Sequence, residues 1–310
     1  MKQRFLMLFS LILCFWQHAA AQLQYPLLRV AWDSVWQCDA LQLYPIYHLP
    51  QGYTSEKTTI ISLPEAVQKR KVHIDEVDGD NGADIKVLRL RNKGRQPILL
   101  APGDIIKGGK QDRMVTNMQL LMPDNEWTYI DVLCVEKGRW AEPKVFKFSS
   151  AGRADYRMQE YMLHQGAQQH VWKHIDSIYK QRNDSSSTWS YTYLFNTTRK
   201  MDTGCITAIQ QLPWSNDSLV VGWIAVTHGS IIGIDVYAAH NLFKAAMANA
   251  FVSAVRSRSV HVKKSFPTLA TVQQWATEVL SPTTQARWIQ QHGKLTVVGG
   301  RAIHLLGFGH

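Results

Sequence analysis

Past Gln22 the chain has no apolar run long enough to cross a bilayer, so no membrane-spanning helix is expected there. Cysteine is scarce: four in 310 residues, with no pair at Cys-x-x-Cys or any other metal-ligand spacing. A Gly-x-Ser-x-Gly nucleophile elbow is absent. So are internal repeats and low-complexity tracts. Acidic residues almost vanish from the last quarter, where Glu278 alone faces eight Lys and Arg from Asn241 onward, a net of +7. A basic face that binds nucleic acid needs interleaved stacking aromatics. The densest basic run, Arg256 to Lys264, meets none until Phe266, so no nucleic-acid partner is expected. A solvated basic face, or attraction to an anionic envelope surface, suits that quarter better.

What is present begins with a targeting device. Lys2 and Arg4 precede the short apolar run Phe5 to Trp16, and Ala19-Ala20-Ala21 supplies a small-residue cleavage pattern. Residues 1–21 are therefore expected to be a cleaved signal peptide, and the protein to be exported, periplasmic or secreted. A lipid anchor on Cys14 fits less well, because bulky Leu13 stands where a small residue is wanted. Export leaves Cys38, Cys134 and Cys205, enough for one bridge of unspecified pairing and one spare thiol. A hydrophobic fraction of 45% with 11 Trp argues against disorder.

Residues 22–150 read as a β-rich lobe and residues 151–310 as a mixed helix and strand lobe, closely packed as one α+β domain. In the first lobe, Pro64 to Arg70 predicts one short helix with Pro in its first turn. Val72 to Val77 and Ile85 to Arg91 alternate as half-buried strands. In the second lobe, Asp155 to Arg182 predicts one long amphipathic helix, and Asn183 to Ser190 a polar loop. Leu219–Val226 and Ile231–Val236 predict paired strands, Asn241 to Arg258 a helix, and Leu295–Val298 with Ala302–Leu306 a hairpin across Gly299-Gly300.

Two segments carry the chemistry: Gly103 to Arg113, and Cys134 to Trp140. If Tyr129 to Glu136 is one strand, Ile130, Val132, Cys134 and Glu136 share a face, and Glu136 stands where the apolar row runs out. Gly138 permits a turn that folds Arg139 back toward it. If Lys110 to Thr116 is extended, Gln111 and Arg113 share a face, with Asp112 opposite. An amide beside a guanidinium suits a carboxylate, a phosphate or ribose hydroxyls. The first segment is not a phosphate-binding P-loop, because Gly109 stands where Lys is required and no helix is expected to follow. His170 and His174 have the one-turn spacing of zinc proteases, but Val171 occupies the place of the catalytic Glu.

These segments resemble the signature blocks of the ARG- and rhodanese-phosphatase-superfamily-associated protein domain, a bacterial family of unknown function. The resemblance rests on Gly103, Gly108, Lys110, Gln111, Arg113, Cys134, Val135, Glu136, Gly138, Arg139 and Trp140. Ser62 to Ala66 and Asp75 to Val77 are similar too. Asp112 stands where the family pattern has Asn, and Asp104 where it has Glu. The resemblance spans residues 41–258, and the family's name implies an association with ribosylated or phosphorylated ligands.

The expected site is a polar cleft for a small anionic or hydroxyl-rich ligand. Glu136 is the candidate general acid or base. Gln111, Arg113, Arg139, Lys110, Asp104 and Trp140 are the candidate ligand-binding residues. No metal is assigned, and no cofactor is indicated. Three roles stay open: a hydrolase of ribosyl or phosphoryl bonds, a binding module without turnover, or a structural unit in which the same residues form a buried salt-bridge network.

Overall fold

The computed structural model describes residues 23–49, 58–79, 82–139, 147–197, 204–258 and 265–309. The signal-peptide expectation for residues 1–21 and the candidate Trp140 lie outside them.

In chain order the strands begin with β1 (Leu28–Val30), β2 (Trp36–Cys38), β3 (Leu41–His48) and β4 (Ile61–Ser62). Helix α1 (Leu63–Gln68) follows, capped by the Ser62 side chain, which accepts from Glu65 N, with Pro64 in its first turn. Then come β5 (Val72–Gly79), β6 (Gly82–Asn92), β7 (Ile98–Leu100), β8 (Asp104–Lys107), β9 (Arg113–Val115), β10 (Gln119–Leu121), β11 (Trp127–Cys134) and β12 (Ser149–Arg153). Helices α2 (Tyr156–Glu160), α3 (Ala167–Arg182) and α4 (Tyr193–Thr197) precede β13 (Val220–Thr227) and β14 (Ser230–Tyr237). The chain closes with α5 (His240–Ser257), α6 (Leu269–Leu280), α7 (Gln285–His292), β15 (Gly293–Val298) and β16 (Arg301–Phe308).

Three sheets organise this α+β domain. A six-stranded sheet runs β12-β8-β9-β11-β6-β5, and a three-stranded one β10-β7-β4. The seven-stranded sheet runs β1-β3-β13-β14-β16-β15, with β2 also on β3. Its centre is apolar without alternation because both faces are covered. Along β13, Trp223 and Ala225 pack toward α5 with Phe243 and Phe251, while Ile224 and Val226 pack toward α6 and α7 with Val272 and Trp288. The six-stranded sheet alternates likewise: Ile106 and Val115 join the β4, β7 and α1 core, whereas Ile105 and Met114 face α3.

The division at residue 150 is not a division between sheets. β3 pairs antiparallel with β13, so the chain's earliest strands belong to the sheet built mostly by its last ones. The single helix expected over Asp155 to Arg182 is broken. A 3-10 turn covers Tyr161–Leu163, and Gly166, at φ +69°, starts α3 afresh. Pairing among the cysteines is resolved as Cys38 with Cys205, leaving Cys134 free and buried.

The basic last quarter is also less open than its charge count implies. Arg256 lies 3.6 Å over the Phe195 ring and donates to the Arg153 carbonyl. Arg258 is buried 3.6 Å from the Asp39 carboxylate, and Lys294 donates to the Thr116 carbonyl. Lys263 and Lys264 lie outside the described residues.

Candidate functional site

Antiparallel pairing sets Arg113 of β9 opposite Cys134 of β11. That register carries Asp112 to the level of Val135, whose N–H donates to the Asp112 carbonyl. The Asp112 N–H in turn donates to Glu136 Oε2 at 3.1 Å. Gly108 and Gly109 just upstream have φ of +116° and +59°, a turn that L side chains resist. A Cβ on Gly109 would also collide with Glu76 Oε1 and the Phe148 ring. The glycines therefore shape a loop in which the Asp112 N–H reaches Glu136 while its carboxylate reaches Arg139.

Arg139 ties the two blocks together. Its Nε donates to Glu136 Oε2 at 3.0 Å and its Nη2 to the same oxygen at 2.7 Å. Nη2 also reaches Asp112 Oδ1 at 3.1 Å, and Nη1 the Gly109 carbonyl at 2.7 Å. Nearly all of the guanidinium's five N–H donors are thus engaged within the protein. Asp112 is satisfied as thoroughly: Oδ1 accepts from Gly108 N, and Oδ2 from Ser190 Oγ and Thr192 Oγ1. Those hydroxyls arrive because the polar loop after α3 runs alongside the second block, with Tyr191 N donating to the Val135 carbonyl and Gly138 N to the Thr188 carbonyl.

Burial pushes the Glu136 carboxyl up, but hydrogen bonds from Arg139, Thr188 and the Asp112 N–H outweigh it and hold the group below its usual value. Glu136 is therefore ionised at neutral pH. In that state it carries no proton to donate, and its Oε2 is taken up by Arg139 and the Asp112 N–H. A carboxyl depressed by folding adds stability above its unfolded pKa of about 4.3, and that stability is lost as pH falls through the folded value. Glu136→Gln leaves Arg139 its Asp112 contact, so a loss of about 1–3 kcal/mol is expected at pH 7. The gap between variant and parent should narrow below roughly pH 4. Urea midpoints at pH 7 and pH 3.5 check this; a gap that widens in acid would be the wrong sign.

A cleft of about 620 Å³ opens beside this cluster. Asp112, Glu136 and Arg139 line it, Lys107 and Lys147 add positive charge, and Ser149, Ser185, Ser186, Ser187, Thr188, Ser190 and Thr192 line it with hydroxyl-bearing residues. The remaining sequence candidates sit elsewhere. Arg113 is fully buried, with Nη2 3.9 Å from Glu76 Oε2 and no hydrogen-bond partner for its guanidinium nitrogens among the described residues. Gln111 is buried, and the Lys110 N–H donates to Glu76 Oε1. Asp104 is a correction: its Oδ1 accepts from Arg153 Nε at 3.2 Å in a separate buried network, so it cannot touch a ligand in the cleft.

The sequence reading missed Asp112, Glu76 and the hydroxyls of Ser190 and Thr192. Treating Lys110 to Thr116 as extended put Asp112 on the wrong face, because β9 starts only at Arg113. Glu76 had a readable signal, being a carboxylate two residues past buried Ile74 on an alternating strand. The serine loop was recognised only as a loop. Among the described residues no three His, Cys, Asp or Glu side chains are placed to share a metal ion. His170 and His174 pack instead around Tyr161, with ring centroids 6.1 and 5.0 Å away.

The two blocks, with Arg139 among their residues, are what the family resemblance singled out. The profile of the ARG and Rhodanese-Phosphatase-superfamily-associated Protein domain matches residues 29–308, nearly the whole chain. The chain belongs to that family. No curated protein and no solved structure matches it. The ARG and Rhodanese-Phosphatase-superfamily-associated domain here is thus an α+β fold whose seven-stranded sheet uses strands from both ends of the match, and its signature residues divide between a cleft wall and the core behind it.

Proposed function

We propose that this is an exported binding domain whose cleft takes a small anionic or hydroxyl-rich ligand. The observation that carries the reading is the hydroxyl-lined cleft of about 620 Å³ beside the Asp112–Arg139–Glu136 cluster. Its volume falls in the usual range for ligand sites, roughly 300–1,000 Å³. Serine and threonine hydroxyls suit sugar hydroxyls, while Lys107 and Lys147 suit a phosphate or carboxylate. Binding is favoured over hydrolysis because Glu136 is ionised and held by Arg139, and Asp112 is saturated with donors. Glycoside hydrolysis asks one carboxyl of a pair to carry a proton. The structural role is retained in part: the cluster also fastens the two blocks together.

Export is supported by the Cys38–Cys205 bridge, since disulfides persist in oxidising compartments. Attraction to an anionic envelope surface would rest on Lys244, Arg287 and Arg301, which remain exposed.

The test of the cleft is steric. Ser187 is exposed and lines the cleft, so Ser187→Trp should fill it without disturbing the core. With glucose 6-phosphate, ribose 5-phosphate and glucuronate as probes in calorimetry, at least one should bind the parent protein and lose about tenfold or more in affinity with Ser187→Trp. Equal binding by parent and variant would place the ligand elsewhere.

A further inference from the structure

The cleft does not end at the Asp112–Arg139–Glu136 cluster. A second groove of about 760 Å³ lies against α1, β5 and β12, and its lining includes Lys147 and Ser149, which also line the first cleft. The two cavities therefore meet along one short piece of chain at the start of β12. The second groove's charge is one-sided: among the described residues Arg70, Lys93 and Lys147 line it, and no Asp or Glu does. Gln68 and Asn249 add amides, and half-buried Phe148 adds an aromatic wall.

We propose that the two cavities form one binding track for an extended anionic glycan, a chain of sugars carrying carboxylates or phosphates. This rests on the reading of the first cleft as a ligand site and names the class of ligand. Each cavity alone has the size that suits a small molecule, roughly 300–1,000 Å³; a longer ligand is needed to engage both. Together the linings combine cations with hydroxyls and amides. That suits a polymer whose anions are spaced by hydroxyl-rich rings, since lysine and arginine meet the anions while amides and serines meet the hydroxyls. Pro64 and the Phe148 ring offer apolar surface for the C–H face of a sugar. A single-stranded nucleic acid would want successive stacking aromatics. Among the described residues the second groove offers Phe148 alone beside one imidazole, His73.

The experiment is a length series on the purified full chain, using oligogalacturonates and glycerol-phosphate oligomers of two and six units. Neutral malto-oligosaccharides and a short single-stranded DNA serve as controls. The six-unit anionic oligomer of at least one chemistry should bind about tenfold or more tighter than its two-unit form, and which one does so identifies the anion. The double variant Arg70→Glu/Lys93→Glu should bring the six-unit affinity down to that of the two-unit form and leave the two-unit affinity unchanged. Both positions are exposed, and an unchanged melting temperature confirms that the variant is folded. Two-unit binding with no gain from length, or a gain that survives the double variant, overturns the track while leaving the first cleft intact. Binding of no anionic oligomer or simple sugar acid overturns both. Equal binding of the DNA makes the track a general polyanion groove and overturns the glycan assignment.

Discussion

Arg153→Met should lower stability by about 3–5 kcal/mol, the usual result of removing one member of a buried ion pair. Arg153 on β12 is 1% exposed. Its Nε donates to Asp104 Oδ1 at 3.2 Å, and its Nη1 donates to Asp235 Oδ2 at 3.2 Å and to Tyr237 Oη at 3.3 Å. Asp235 Oδ1 in turn lies 2.7 Å from His304 Nε2. Burial works against the Arg153 charge, but Tyr237, Asp104 and Asp235 outweigh it and raise its pKa. Burial raises Asp104, whereas His304 and Arg153 overcome burial and hold Asp235 low. The network joins β8 and β12 of the six-stranded sheet to β14 and β16 of the seven-stranded one. Methionine would leave two carboxylates in a dry seam between them. At about 2–4 °C per kcal/mol, the melting temperature should fall by roughly 6–20 °C. Adding Asp104→Asn and Asp235→Asn should return much of the loss, because neutral buried groups cost less than unpaired charges. A loss under about 1 kcal/mol for Arg153→Met in urea titration would show that the seam takes up water and does not rely on the guanidinium.

The second large effect belongs to the disulfide. Cys38 and Cys205 are 167 residues apart in sequence. A cross-link closing so long a loop restricts the unfolded chain strongly, and its removal is expected to cost about 2–5 kcal/mol. Cys38→Ala/Cys205→Ala should therefore melt well below the parent protein, and the parent in reductant should approach the variant. Cys134 does not substitute, since it is buried at 0% exposure and burial raises its thiol pKa. If the oxidised parent and the double variant melt together, the bridge adds nothing to the fold.

How legible all this was depended on whether the decisive contact is local. The strand and hairpin pattern from Val72 to Asn92, the helix after Asn241 and the closing hairpin across Gly299-Gly300 follow from alternation, periodicity and turn residues, all short-range signals. Helices α6 and α7 went unread, although Thr268 caps α6 with its side chain. Pairing of β3 with β13 could not be read, because nothing within either strand names a partner so far along the chain. The same division runs through the site. Glu136 with Arg139 was visible because Gly138 and a three-residue gap bring them together. Asp112 was not, because its direction depends on positive-φ glycines and on a register set by β11. Asp104 was misplaced for the converse reason: its partners Arg153 and Asp235 are remote in sequence, and no local pattern separates a carboxylate that faces a cleft from one that faces a seam.

The β3–β13 pairing has a consequence for synthesis. Strands β1 to β3 leave the ribosome early, yet the neighbour that completes their sheet begins at Val220. Until then they present unpaired edges, and long-range pairing of this kind forms slowly because a large loop must close first. A nascent chain of half its final length can fold little more than the sheet around β5, β6 and β11. A pore that draws the chain through from its front end would therefore meet strands still waiting for their partner, at the stage when threading costs least.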